Sequence, residues 1–410
     1  MHLIESYATN CGVKIDKPYI LERFFPLNVE KYITFQPFSK GAKSYDGWPD
    51  VLEIIGPVLD KAGIRIVQIG APKEPQLPWT MSVVGQTNLS QVAYLVNHGM
   101  LHFGADSFAV HIASSYDKKI VALYSTSWIN NCGPYWGTKT NQILLEPDRT
   151  DQKPSFSLEE FPKNINTIKP EKVALSILSL LGLEADYPYQ TIYTGNNYFQ
   201  NMLESVPDQV VNPKDFGVPS MIVRMDYNFN EDNLAKQLSV CPCIILTNKA
   251  INPQILLQFK QHVAEVIYII EEDNDPSFVD FLEKNAFKKQ LMTNLSEEEL
   301  RPHKMPYMEY GIIGIRPKHD PTKIKELKDK DINKLFYKSH KWTLSGGKIY
   351  TSKAGYLSNT DAPFENKNPG EMPVIAGLTN MEDVHKVYPV VDHPSFWEDL
   401  DNFTILEKTD

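Results

Sequence analysis

Apolar positions along the chain switch repeatedly between strand-like runs and helical spacing of three and four. Tyr32-Ile33-Thr34-Phe35-Gln36 reads as a strand. Residues 49–62 read as a helix, with Val51, Leu52, Ile55, Val58 and Leu59 on one face and Gly63 as the stop. Residues 64–70 form a strand ending in glycine. Asn88, with Gln91 three residues on, predicts a capped helix carrying Leu89, Val92, Ala93 and Val96. A strand over 100–104, a helix over 107–115 and a strand over 120–124 follow. Pro170 opens a helix bearing Val173, Ile177, Leu178 and Leu181, and Gly182 ends it.

A second alternation starts at residues 220–225. Strands are predicted over 220–225, 243–247, 265–270 and 289–292, with helices opened by Asn230, Asn252-Pro253, Asp275-Pro276 and Ser296. Strands and helices in this order imply mostly parallel sheets covered on both faces. The expected fold class is α/β, with two Rossmann-like doubly wound domains and an irregular C-terminal extension. The expected boundaries are a linker-like segment 1–29, a first domain 30–183, a connector 184–217 rich in Tyr, Pro and Asn, a second domain 218–315 and the extension 316–410. Within the extension, Ser345-Gly346-Gly347-Lys348 reads as a hairpin turn.

Composition narrows the function classes. The 410 residues are 42% hydrophobic and 22% charged, as in a folded protein of two or three domains at ~150 residues each. No apolar run approaches the ~20 residues of a membrane-spanning helix, and the first residues lack the pattern of a secretory leader. The net charge of −10 argues against a protein that coats nucleic acid. Four scattered cysteines make no disulfide framework. The pair Cys241 and Cys243 offers two thiols where a zinc site needs four ligands, so a buried, inert role and a reducing cytoplasm are expected.

Three places carry candidate chemistry. Residues 37–43 follow the first strand and hold Lys40 and Lys43 among small residues, either a phosphate-binding loop or a solvated turn. Gly70 and Glu74 follow the second strand; an acid there can accept from two ribose hydroxyls, or simply be exposed. Asp106, Ser107 and His111 mark a strand passing into a helix within a few residues, whose free N–H groups suit a diphosphate. Asp106 either caps that helix or accepts from a sugar hydroxyl, and His111, a turn in, either donates to an anion or is an ordinary half-buried histidine.

Taken in order, these pieces resemble the nucleotide-sugar-binding domain of the family 9 glycosyltransferases, the lipopolysaccharide heptosyltransferases. The resemblance runs over about residues 30–182. It rests on Lys43 through Trp48-Pro49, Gly70 with Glu74, Gly85-Gln86-Thr87-Asn88-Leu89-Ser90-Gln91, and Asp106-Ser107-Phe108-Ala109-Val110-His111-Ile112-Ala113. The strand at 119–124 and Pro134-Tyr135-Trp136 complete the set. Phe108 stands where the family has glycine.

The resemblance implies a GT-B-like transferase moving a sugar from a nucleoside-diphosphate sugar to an acceptor hydroxyl, inverting and metal-independent, with no cofactor besides the donor substrate. The expected donor-binding residues are Lys40, Lys43, Gly70, Glu74, Asp106, Ser107 and His111. The acceptor stays open among a saccharide, a protein and a modified nucleic-acid base. In the family the acceptor domain comes first and supplies the catalytic carboxylate, whereas here the second Rossmann-like unit follows. A permuted order then makes Asp226, just past the strand at 220–225, the expected general base. The alternative is a GT-B-like binding or scaffold protein without turnover.

Overall fold

The computed structural model describes residues 1–149, 152–271, 276–316, 319–358, 364–365 and 387–409. They form two compact units, Met1–Thr191 and Ile192–Thr409.

The first unit opens with helix α1 (Leu3–Cys11), capped by His2. Its sheet is built from β1 (Tyr32–Gln36), β2 (Arg65–Gln68), β3 (Thr80–Ser82), β4 (Leu101–Ala105), β5 (Lys119–Leu123) and β6 (Gln142–Leu145). All pairings are parallel, and the order is β3-β2-β1-β4-β5-β6. The helices are α2 (Trp48–Lys61), α3 (Leu89–His98), α4 (Phe108–Ser115), the short α5 (Ile129–Cys132) and α6 (Pro170–Leu181).

The central strands are buried on both faces, which is why they read as near-continuous apolar runs. Ile33, Phe35, Leu101, Phe103, Val121 and Leu123 pack with Val51, Leu52 and Ile55 of α2 and Val173, Ile177 and Leu178 of α6. On the other face Tyr32, Val67, Ile120, Ala122 and Tyr124 pack with Val92, Leu95 and Val96 of α3 and Ala109, Val110 and Ala113 of α4. The predicted capping box of α3 is present, with Asn88 and Gln91 each bonding the other's backbone N–H. Two edge strands, β3 and β6, were not expected; they are three and four residues long and only partly buried.

Strand order reverses between β1 and β4, and the helices that follow them, α2 and α4, pack on opposite faces of the sheet. Gly104 of β4 takes φ +155°, and a Cβ there would strike the Gln36 backbone of β1.

In the second unit β7 (Tyr189–Thr194), which begins just before the division, and β8 (Met202–Ser205) lie in the stretch expected to be a connector. They are followed by β9 (Ile222–Arg224), α7 (Glu231–Val240), β10 (Cys243–Thr247), α8 (Pro253–Gln258), β11 (Val263–Ile270), α9 (Ser277–Lys284), β12 (Lys289–Thr293), α10 (Glu297–Leu300) and β13 (Ile313–Ile315). The region expected to be irregular supplies α11 (Pro321–Lys328), β14 (Leu335–Ser339), β15 (Lys341–Ser345), β16 (Lys348–Tyr350), α12 (Lys353–Ser358), β17 (Phe364–Glu365), β18 (Tyr388–Pro389), α13 (Pro394–Glu398) and β19 (Phe403–Lys408).

One sheet runs β13-β12-β11-β10-β9-β8-β15-β16-β17, parallel from β13 through β15. β18-β14-β19-β7 make a second. The connector and extension are thus structural parts of this unit, and β8 and β15 sit inside its main sheet. Their polar residues Glu204, Lys341 and Thr343 are buried against one another, which hid the strands from an apolar-pattern reading. The predicted turn at Gly346-Gly347 does join β15 to β16, with φ positive at both glycines.

Cys241 and Cys243 are buried and unpaired, and the Cys243 thiol donates to the Cys241 carbonyl at 3.2 Å. No helix among the described residues is long and apolar enough to cross a membrane.

Candidate functional site

Loops at the carboxyl ends of β1 and β4 meet at the reversal point of the first sheet, where open α/β sheets bind ligands. The loop after β1 is fixed by its own polar atoms: the Ser39 N–H donates to Ser44 Oγ at 3.1 Å, and Ser44 Oγ donates to the Ser39 carbonyl at 2.7 Å. The Ala42 N–H donates to the Leu158 carbonyl at 2.8 Å. This holds Lys43 facing the end of β4, where its Nζ lies 2.5 Å from Asp106 Oδ2. Ser39 Oγ donates to the Asp106 carbonyl at 3.3 Å, and Ser107 Oγ donates to Gln36 Oε1 at 2.8 Å. Lys43, Asp106 and Ser107, read separately from the sequence, therefore form one cluster, together with Gln36 and Ser39, which the sequence reading passed over.

Asp106 is only 7% exposed, and its carboxylate is spent on Lys43 rather than on capping α4. The cap position belongs to Ser107, whose hydroxyl is turned away to Gln36, so no side chain caps the first turn of α4. Those N–H groups and the positive end of the helix begin two residues past Asp106, the partner of Lys43, an arrangement suited to an anion. Phe108, at the family's glycine position, is 43% exposed on this first turn.

His111 is half-buried one turn into α4. Burial lowers its pKa, opposed by the Asp106 carboxylate, so the ring is held toward the neutral form. Lys40 opens the short turn at Gly41–Lys43 and is exposed.

Glu74 lies on the loop after β2, the strand next to β1. Its Oε2 is buried without a hydrogen-bond partner, and burial raises its pKa. Gly70 leaves room for it, since a Cβ there would collide with the Glu74 carboxylate. Two further buried hydroxyls lack partners on the loop after β5, Tyr124 OH and Ser127 Oγ. Sequence reading stopped at the strand and missed them. The signal was present as a run of four hydroxyl residues, Tyr124-Ser125-Thr126-Ser127, directly past an apolar strand.

Asp226 lies in the second unit, in the turn after β9. Both of its carboxylate oxygens accept from Arg224, Oδ1 from Nε at 2.8 Å and Oδ2 from Nη2 at 2.7 Å. Arg224 also reaches Glu204 at 2.7 Å and lies over the Tyr227 ring, 3.7 Å from its centroid. Lys341 completes a buried network with Glu204 at 3.4 Å and Asp399 at 3.1 Å. Burial opposes the ionised forms of Glu204 and Asp399, but the neighbouring cations outweigh it and hold both below their ordinary values. A bidentate guanidinium pair favours a counter-ion role for Asp226 over that of a proton acceptor. No group of three or more His, Cys, Asp or Glu side chains able to hold a metal ion occurs among the described residues.

The Glycosyltransferase family 9 (heptosyltransferase) profile matches residues 24–160. Among solved structures, the chain is similar to Escherichia coli ADP-heptose lipopolysaccharide heptosyltransferase II, at 17% identity over 43% of this chain and 50% of that one, with a TM-score of 0.30. It is similar to a glycosyl transferase family 9 protein of Veillonella parvula at 21% identity, over 43% and 50% of the two chains, TM-score 0.30. It is also similar to the iron-containing dodecameric glycosyltransferase TibC of enterotoxigenic E. coli at 16% identity, over 42% and 52%, TM-score 0.33. The chain spans about half the length of these structures. No match was found among curated proteins. The match to the glycosyltransferase family 9 (heptosyltransferase) model over residues 24–160 falls largely on the stretch between residues 30 and 182 whose ordered motifs resemble that family.

Proposed function

We propose that the first unit binds a nucleoside-diphosphate sugar at the carboxyl edge of its sheet, and that the chain transfers the sugar to an acceptor hydroxyl. The observation that carries this reading is the meeting of Lys43, Asp106 and Ser107 at the β1/β4 reversal point, beside the uncapped first turn of α4. Lys43 and the α4 N–H groups face the diphosphate, and the unpartnered Glu74 oxygen accepts from the ribose hydroxyls. His111, kept neutral, is free to donate or accept a hydrogen bond there.

In this reading the acceptor oxygen attacks the anomeric carbon as the bond to the diphosphate breaks, and configuration inverts. The acceptor's proton passes to a base, and Lys43 with the helix end stabilises the leaving diphosphate without a metal. The acceptor is a saccharide, a protein or a modified nucleic-acid base. The compartment that suits four unpaired cysteines is the cytoplasm. A similar structure is described as E. coli heptosyltransferase WaaC with ADP, which makes ADP the first nucleotide to try.

A second reading, binding without turnover, is favoured by the engagement of Asp226 with Arg224, which leaves the permuted-order mechanism without a free carboxylate at that position. A thermal-shift screen with ADP, UDP, GDP and CDP tests the first step. Stabilisation by one of them is expected, and none would sink the donor-site reading. Release of nucleotide from the matching sugar conjugate then separates transfer from binding alone, and turnover that collapses in EDTA and returns with Mn²⁺ would contradict metal independence.

A further inference from the structure

The loop after β5 carries a polar surface that the donor site described above does not use. Tyr124 is wholly buried, yet its hydroxyl meets no hydrogen-bond partner. A buried polar group left unpaired costs about 1–3 kcal/mol, so such groups are rare outside sites where a ligand completes them. Ser127, three residues on, is a second case.

The position of Tyr124 says what would complete it. It is the first residue past β5, as Asp106 is the first past β4, and the strands pair in register up to Ala105 and Leu123. The Asp106 N–H donates to the Leu123 carbonyl at 3.2 Å, which fixes the two strand ends side by side. The Tyr124 ring packs on the α4 face of the sheet, with Ala109, Val110 and Ala113. Burial, with the Asp106 charge adding to it, raises the pKa of the phenol well above the ordinary tyrosine value and keeps it protonated.

The loop is also held still. Arg149 Nη2 donates to the Ser125 carbonyl at 2.6 Å, the Phe156 N–H donates to the Thr126 carbonyl at 3.0 Å, and Ser125 and Thr126 are buried. With the loop's main chain held by these bonds, the groups it leaves unsatisfied are the two side-chain hydroxyls.

We propose that Tyr124 and Ser127 form a glycosyl subsite beside Asp106, which takes vicinal hydroxyls of the donor's sugar. This rests on the donor-site reading and goes beyond it by naming the residues that recognise the sugar. The chemistry selects the ligand class. Asp106 accepts and Tyr124 donates, so the group between them has to do both. A sugar hydroxyl donates to the carboxylate and accepts from the phenol. A phosphate oxygen only accepts, and the Asp106 charge repels it.

The test compares each nucleoside diphosphate with its own hexose conjugate, ADP with ADP-glucose, UDP with UDP-glucose and GDP with GDP-mannose, by calorimetry on the full chain. Wild type is expected to bind one conjugate more tightly than its diphosphate. Tyr124→Phe should weaken that conjugate about tenfold and leave the diphosphate unchanged, and Ser127→Ala should do the same to a smaller extent. Because the hydroxyl has no partner in the free protein, Tyr124→Phe should melt at or above the wild-type temperature. Equal affinity of wild type for conjugate and diphosphate, or unaltered conjugate binding in Tyr124→Phe, overturns the subsite while leaving the donor site standing. Equal weakening of both ligands overturns it too, by giving the hydroxyl to the diphosphate. Failure of wild type to bind any of the six ligands overturns the donor site and the subsite together.

Discussion

His102 sits in the middle of β4, four residues before Asp106, with no exposed surface. Its Nδ1 lies 3.0 Å from Thr34 Oγ1 across the β1/β4 pair, and its Nε2 has no partner. Burial pushes its pKa down to about 3, against an ordinary 6.5. Between those values the unfolded chain binds a proton that the folded chain refuses, so stability falls as pH drops below 6.5 and keeps falling until about 3. Each pH unit in that window is worth about 1.4 kcal/mol, which gives roughly 2 kcal/mol lost at pH 5 and about 5 kcal/mol near pH 3. His102→Asn removes the titrating group and keeps a polar atom for Thr34. Urea unfolding of wild type and variant, followed by intrinsic fluorescence at pH 7.5 and pH 5, checks the difference. The variant should be less stable at pH 7.5, because a smaller side chain leaves a gap, yet should lose about 2 kcal/mol less than wild type on acidification. Parallel losses in the two proteins would show that the imidazole is protonated freely in the fold, contrary to its burial.

Asp226→Asn breaks half of the bidentate pair with Arg224, and an unfolding free energy lower by about 1–3 kcal/mol is expected, with nucleotide affinity unchanged. A hundredfold loss of transfer at wild-type stability would instead make Asp226 the base. Gly70→Ala should push the Glu74 carboxylate out of place and cost about tenfold in nucleotide affinity, as Glu74→Ala should, with wild-type circular dichroism in both; unchanged calorimetric affinity would show that Glu74 lies off the site. Lys43→Met removes the cation aimed at the diphosphate and leaves Asp106 without its partner, so ADP or its equivalent should bind tenfold or more weakly, and weakening should shrink in high salt; a variant that binds as wild type refutes the role.

The first unit was legible where its central strands are mostly apolar and its helices carry strong signals, and not at the short, partly buried edge strands β3 and β6. Asn88 with Gln91, Pro170 and Gly182 all act as the spacing says, whereas Asp106 pairs with Lys43 instead of capping α4. What the sequence hid is polar chemistry satisfied inside the fold. Glu204, Lys341 and Thr343 look like loop residues until their partners are seen across the sheet, so β8 and β15 read as connector and tail. Asp226 looked like a lone carboxylate at a strand end, and Arg224, only two residues away, reads as an ordinary strand residue unless the turn brings it back. Tyr124 shows the reverse case. Its ring belongs to the core and its hydroxyl to the site, and only the packing shows that the hydroxyl has been left without a partner.

A crystal structure of the chain soaked with the nucleoside diphosphate selected by the thermal screen tests the central claim most directly. The account predicts the diphosphate between Lys43 and the first turn of α4 and the ribose against Glu74, with no phosphate oxygen on the Asp106 carboxylate or the Tyr124 hydroxyl. Density for the nucleotide anywhere else on the molecule, with Lys43 still seated on Asp106 and the Glu74 oxygen still unpartnered, would contradict it.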